Sequence, residues 1–202
     1  MKVIEQLLVN AGISPIAGVD EAGRGACAGP LVIASVVLND PFAAELAVVR
    51  DSKEISESKR DAIFDLIHSF AASVSVVIVP AAEVDSRGVH AANLDGMRRA
   101  VQGLSIEPAY VLTDGYAIEG LGVPNLAVWK GDQVVVSISA ASVIAKVTRD
   151  RIMRELDAEF PQYGFAGHKG YITAAHTKAL NEHGPCAEHR TSFANVAALI
   201  HK

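Results

Sequence analysis

Ile16-Ala17-Gly18-Val19-Asp20-Glu21-Ala22-Gly23-Arg24-Gly25 is an apolar run that ends in two adjacent carboxylates and then in an arginine between glycines. The run from Ile16 to Asp20 reads as a β-strand. Adjacent Asp and Glu repel each other and are costly to hold together unless a cation sits between them. Oxygen ligands of this kind suit hard divalent ions such as Mg²⁺ or Mn²⁺. The arginine brings a planar fork that matches a phosphate, and the glycines let backbone N–H groups approach a ligand closely. The stretch therefore implies a metal site beside a phosphate-reading loop, at the end of a strand.

Outward from it, residues 31–38, LVIASVVL, read as a second strand rich in β-branched residues. Ser56-Glu57-Ser58-Lys59 carries capping residues and opens a helix to about Phe70. Residues 73–79 form a third strand stopped by Pro80. Residues 88–104 look helical, with Val89, Leu94, Met97 and Val101 roughly on one face. Residues 109–115 are a strand closing in Asp114, residues 125–130 a short strand, and residues 139–160 mostly helix. A short helix over residues 2–11 precedes all of these, and a dense polar loop, residues 163–171, precedes further helix. Three strands with short links, followed by strands alternating with helices, predict an α/β domain with a mixed sheet. No repeat, low-complexity tract or linker divides the 202 residues, which fits one domain.

Half of the residues are hydrophobic and 20% are charged, an ordinary globular composition. The formal net charge of −5 does not announce a nucleic-acid partner, so any basic footprint must be local. Lys53, Lys59, Arg60, Lys146, Arg149, Arg151, Lys169 and Arg190 are scattered, and only folding could gather them. Cys27 and Cys186 are too few for a disulfide framework. The N-terminus lacks a signal peptide's apolar core, and the longest apolar stretch is far too short to span a membrane. A cytoplasmic monomer is the expectation.

Asp114 closes its strand before a glycine turn as Asp20 does, and Asp132 follows a strand in Trp129-Lys130-Gly131-Asp132. In open α/β sheets, ligands gather at the carboxyl ends of strands. Asp20, Glu21, Asp114 and Asp132 could thus hold two metal ions roughly 4 Å apart for an in-line phosphoryl displacement. Asp before Gly is also a good turn former, and for Asp132 that plainer reading weighs equally. Gly23-Arg24-Gly25-Ala26-Cys27-Ala28 fits a dinucleotide fingerprint, but a proline and a strand follow where a helix is needed. His183-Gly184-Pro185-Cys186-Ala187-Glu188-His189 has zinc-like spacing without a fourth ligand and reads as a loop with solvated histidines. Ser142 and Lys146 look like a polar stripe on a helix, and Lys146 with Asp150 like a surface ion pair. His168-Lys169-Gly170-Tyr171 could grip a phosphate and stack on a nucleotide, or its tyrosine could simply cap the core.

The sequence resembles bacterial ribonuclease HII. The resemblance lies in residues 18–25 with Ala28-Gly29-Pro30, in Asp51-Ser52-Lys53, Thr113-Asp114-Gly115 and Lys130-Gly131-Asp132, in residues 139–150, in Gly167-His168-Lys169-Gly170-Tyr171 and in His189-Arg190-Thr191-Ser192-Phe193. It runs in order from about residue 16 to residue 195. It implies an RNase H-like fold, a five-stranded mixed sheet flanked by helices, with a small helical C-terminal part over about residues 160–202. It implies an endonuclease dependent on Mg²⁺ or Mn²⁺, acting on RNA–DNA hybrids and on single ribonucleotides embedded in duplex DNA. Cutting would fall on the 5′ side of the ribonucleotide and leave a 3′-hydroxyl and a 5′-phosphate. By the same resemblance Asp20, Glu21, Asp114 and Asp132 become the metal-binding quartet. Gly23, Arg24 and Gly25 would read the ribose 2′-hydroxyl and its phosphate, and Tyr171 would pack on the next, deoxy, sugar. Lys53, Lys146, Lys169 and Arg190 could face phosphates. Some family members carry a longer C-terminal tail, so duplex contacts of that kind are not expected of a chain that stops at Lys202. Two rivals share parts of this reading: a non-catalytic nucleic-acid-binding module of the same fold, and a Mg²⁺-dependent phosphatase acting on small molecules.

Overall fold

The computed structural model describes residues 3–54 and 56–200. Five strands, β1 (Ile16–Ala22), β2 (Leu31–Leu38), β3 (Ala71–Val79), β4 (Tyr110–Asp114) and β5 (Asn125–Val128), form one sheet in the order β3-β2-β1-β4-β5. β1, β2 and β3 pair antiparallel, and β4 and β5 join β1 in parallel, so the sheet is mixed as expected. All eight residues of β2 are buried, which explains why its sequence is apolar but for Ser35 rather than alternating: helices cover both faces. The structure has the α/β architecture of an RNase H-like fold.

The helices are α1 (Val3–Asn10), α2 (Glu57–Phe70), α3 (Ala81–Arg87), α4 (Val89–Gln102), α5 (Gly131–Val134), α6 (Val136–Glu159), α7 (Phe165–His168), α8 (Ala174–His183) and α9 (Ala194–Ile200), with a 3-10 helix over Ala44–Glu54. One face of the sheet packs on α6, α2 and the 3-10 helix through Val32, Ala34, Val36, Ile67, Ala141 and Ile144. The other packs on α4 through Val19, Leu31, Ile33, Met97 and Ala100. The link between the second and third strands carries the helix expected to run to about Phe70, here α2, preceded by the 3-10 helix, so it is not short. Both helices must fold back because β3 runs antiparallel to β2 while α2 shields the face beneath them.

α6 crosses β1 so closely that a Cβ on Gly18 would lie 2.1 Å from the Ser137 carbonyl carbon. The sequence placed this helix from residue 139. It begins at Val136, because its first N–H groups are satisfied from outside: the buried Glu5 carboxylate accepts from Val136 N (2.7 Å) and Ser137 N (3.0 Å). A cap supplied from another helix leaves no local signal.

The C-terminal helices gather around Tyr163, Phe165 and Ala179, which pack on Met153 of α6 and on Ala28. Backbone bonds tie this part to the loop between β1 and β2: Gly29 N donates to Glu188 O (2.8 Å), Arg190 N to Cys27 O (2.8 Å) and Cys27 N to Gly170 O (3.0 Å). Among the described residues no helix is long and apolar enough to cross a membrane.

Candidate active site

Parallel pairing sets Val19 opposite Thr113. Asp20 and Asp114 are the next residues on their strands, so they stand side by side at the carboxyl ends of β1 and β4. Alternation along the strands turns both toward the α6 face, with Gly18 and Leu112. Asp20 is buried, and Ser142 of α6 hydrogen-bonds to its carboxylate. Burial first, then the charges of Glu21 and Asp114, push the Asp20 acid up to about 8. Three carboxylates held this close repel, and a cation among them would relieve the repulsion. Asp20, Glu21 and Asp114 are the residues that could hold it.

They line a cavity of about 380 Å³ with Gly23, Arg24, Gly25, Lys146 and Tyr171, residues drawn from distant parts of the chain, and with Arg60 and Ser142. Asp132 does not line it. It is buried in the first turn of α5, one residue beyond Gly131, whose N–H donates to Asp114 Oδ1 (2.7 Å). Asp132 thus follows a strand, β5, at the start of a turn as expected; the turn is the first of a short helix, and Asp132 comes one residue after the N–H that holds Asp114. Among the described residues no group of three or more acidic, histidine or cysteine side chains has the geometry of a formed metal site. The three carboxylates face a common cavity rather than a common point.

Gly23 has a φ of 88°, and a Cβ there would lie 1.9 Å from Arg149 Nε, so both conformation and space demand glycine. The Arg24 guanidinium lies 4.5 Å from the Tyr116 ring centroid, a cation–π contact that braces it over the turn after β4. Tyr171 is 39% exposed and lines the cavity; it does not cap the core. Lys146 lines the cavity too, while pairing with buried Asp150 at 2.6 Å. Arg60 reaches the same carboxylate at 3.7 Å.

Two basic residues read as phosphate-facing are placed otherwise, and a third falls outside the described side chains. Arg190 is fully buried and donates to the carbonyl oxygens of Gly29 and Arg24, so it supports the loop from beneath. Lys169 does not line the cavity; its Nζ donates to Ala166 O, and burial lowers its pKa. The Lys53 side chain lies outside the described residues, its backbone being in the 3-10 helix. The zinc-like histidines also differ from expectation. His183 is exposed, but His189 is buried against His176 (Nε2 to Nε2, 3.0 Å), and burial pushes its pKa down to about 4. Tyr116, Arg60 and Ser142 had been missed as parts of the site. Tyr116 lies two residues past a strand-end carboxylate, and that proximity was the signal available.

The sheet order and the strand-end carboxylates facing a glycine–arginine loop define an RNase H-like domain of the nuclease class. The family model for ribonuclease HII matches residues 17–196. A ribonuclease HII of Acidothermus cellulolyticus is 58% identical over 192 residues, 95% of this chain and 62% of that protein. The chain thus spans less than two thirds of that relative's length. The crystal structure of ribonuclease H2 from Pyrococcus horikoshii superposes with a TM-score of 0.80 at 25% identity, covering 92% of this chain and 97% of that one. RNase HII of Archaeoglobus fulgidus, solved as a complex with PCNA, gives 0.79 at 25% identity over 89% and 95%. The chain belongs to the ribonuclease HII family, whose members are metal-dependent endoribonucleases.

Proposed function

We propose that the chain hydrolyses the phosphodiester on the 5′ side of ribonucleotides, both in RNA–DNA hybrids and at single ribonucleotides in duplex DNA, leaving a 3′-hydroxyl and a 5′-phosphate. One observation carries the reading: Asp20, Glu21 and Asp114 share a single cavity with Gly23, Arg24, Gly25 and Tyr171. A centre for phosphoryl transfer and a surface suited to reading a sugar are thereby adjacent.

Asp20, Glu21 and Asp114 would hold Mg²⁺ or Mn²⁺, with Asp132 as a fourth carboxylate. Two such ions, when bound, would lower the pKa of the attacking water and stabilise the leaving 3′-oxygen. Ser142 keeps the Asp20 carboxylate turned toward the cavity, and the Gly131 N–H does the same for Asp114. The 2′-hydroxyl is the group that distinguishes RNA from DNA at one nucleotide, so it must be contacted directly. The backbone at Gly23 and Gly25 can do so without side-chain bulk, Arg24 can meet the phosphate, and Tyr171 can pack on the following sugar. Lys146 and Arg60 favour the entry of a polyanion.

The test is a DNA duplex bearing one ribonucleotide, incubated with Mg²⁺, Mn²⁺ or EDTA. Cutting at the ribonucleotide with either metal and none in EDTA is the expected outcome. Asp114→Asn should keep the fold by circular dichroism and lose at least 100-fold in rate, on the order of the loss of a charge stabiliser. Wild-type rates in that variant would remove Asp114 from the site, and cleavage in EDTA would rule out the metal.

A further inference from the structure

Two arginines, Arg149 and Arg190, are fully buried, and among the described residues neither has a carboxylate within 4 Å. Burying a cation without a counter-charge is unfavourable unless hydrogen bonds satisfy it. Every such bond here goes to a backbone carbonyl, and nearly all of those carbonyls belong to one loop. Arg149 donates from Nε to Pro30 O (2.9 Å), from Nη2 to Ala28 O (3.0 Å) and from Nη1 to Lys169 O (2.8 Å). Arg190 donates from Nε and Nη2 to Gly29 O (3.1 and 2.9 Å) and from Nη1 to Arg24 O (3.2 Å). The consecutive carbonyls of Ala28, Gly29 and Pro30 therefore all end on the two guanidinium groups.

The bond to Arg24 O has a directional consequence. A trans peptide is planar, with its C=O and N–H pointing opposite ways. Holding the Arg24 carbonyl on Arg190 aims the Gly25 N–H away from the buried guanidinium. Gly25 is exposed and lines the cavity, and its N–H meets no acceptor among the described residues. Arg149 links this loop to the other wall: it fills the space beside Gly23, and its guanidinium lies 5.4 Å from the Tyr171 ring centroid. Asp85 fixes the chain just after Arg190 by accepting from Thr191 N (2.6 Å) and Ser192 N (3.0 Å).

We propose that Arg149 and Arg190 are positioning residues for ribonucleotide discrimination, holding the Gly25 N–H and the Tyr171 ring in the register of a ribose and its neighbour. The proposal rests on the reading of residues 23–25 as the 2′-hydroxyl sensor. Lysine at either position keeps a positive charge, but its donors sit on one nitrogen rather than in a planar fork, so it cannot reach the separate carbonyls that Nε, Nη1 and Nη2 hold in fixed directions.

The experiment measures dissociation constants for two duplexes of the same sequence, one all-deoxy and one with a single ribonucleotide. Ca²⁺ replaces Mg²⁺, and the strands are checked for intactness afterwards. An unfolded fraction weakens both apparent dissociation constants by the same factor, so a merely structural lesion leaves their ratio untouched. For Arg149→Lys and Arg190→Lys the expected result is a fall of at least fivefold in the preference for the ribonucleotide, with all-deoxy affinity unchanged within twofold. A preserved preference in either folded variant overturns the role of that arginine. If neither variant folds, the arginines support the whole domain rather than the loop, and the proposal fails. Arg24→Ala and Tyr171→Ala, measured alongside, separate the two ideas. If they keep the wild-type preference, or the wild type has none, the sensor reading fails and the positioning role fails with it. If they lose the preference while both lysine variants keep it, the sensor stands and only the positioning role is lost.

Discussion

At neutral pH the Asp20 acid, raised to about 8 by burial and by its two acidic neighbours, holds a proton in the metal-free site that a divalent ion must displace. The sign of the consequence for stability is fixed. A folded-state pKa above the unfolded value means that the native state binds more protons between pH 4 and pH 8, so the metal-free chain loses stability as pH rises through that window. Below it the cost disappears. Asp20→Asn should therefore melt several degrees higher than the wild type in EDTA at pH 8.5, with the gap closing near pH 4. Mg²⁺ should stabilise the wild type and leave the variant unmoved. Equal melting curves at pH 8.5 would show that the three carboxylates do not strain one another. Asp20, Glu21 and Asp114 were legible in the sequence because acidic residues closing apolar strands form a local pattern. Arg190 was not, because an arginine that supports a loop from beneath and one that faces a phosphate look alike until tertiary packing decides between carbonyls and solvent. Asp132 was read as following a strand at the start of a turn, and it does follow β5, but that the turn is helical was not legible, because a plain turn and the first turn of a short helix share the same Gly-Asp signature.

Among the elements, the strands were read to within two residues at each end, since β-branched runs bounded by Pro, Gly or Asp carry their own boundaries. α6 was read from residue 139 because its opening Val136-Ser137-Ile138 has poor helix propensity, and its cap comes from Glu5, 131 residues away. This helix carries Ser142, Lys146 and Arg149, so its seating controls three parts of the site at once. Removing the Glu5 carboxylate leaves two buried N–H groups without acceptors. Glu5→Ala should cost about 2 kcal/mol of unfolding free energy, read as a lower urea midpoint at unchanged slope. An unchanged midpoint would mean that water replaces the cap. α3 went unread because its seven residues, Ala81–Arg87, are too few to show a period.

Across the whole molecule, a net charge of −5 has to coexist with the polyanionic substrate proposed above. The fold concentrates the relevant cations. Lys146 and Arg60 stand on the cavity wall around buried Asp150, and Lys146 and Arg154 lie near enough to Lys169 to lower its pKa further, after burial. The acidic centre faces the same cavity from the strand ends, where divalent ions would cancel its charge. Such a layout predicts two separable quantities in binding. Duplex affinity should fall with salt at a slope of about −0.9 per phosphate contacted, and the preference for a ribonucleotide should not. Lys146→Ala should make the slope of log affinity against log salt shallower by about 1 between roughly 50 and 300 mM KCl. It should leave the ratio of ribonucleotide to all-deoxy affinity where it was, because it touches neither the glycine–arginine loop nor Tyr171. Fluorescence anisotropy titrations of both duplexes at several salt concentrations measure both quantities together. An unchanged slope would confine Lys146 to its ion pair with Asp150, and a lost preference would mean that charge and sugar recognition are not separate functions of this surface.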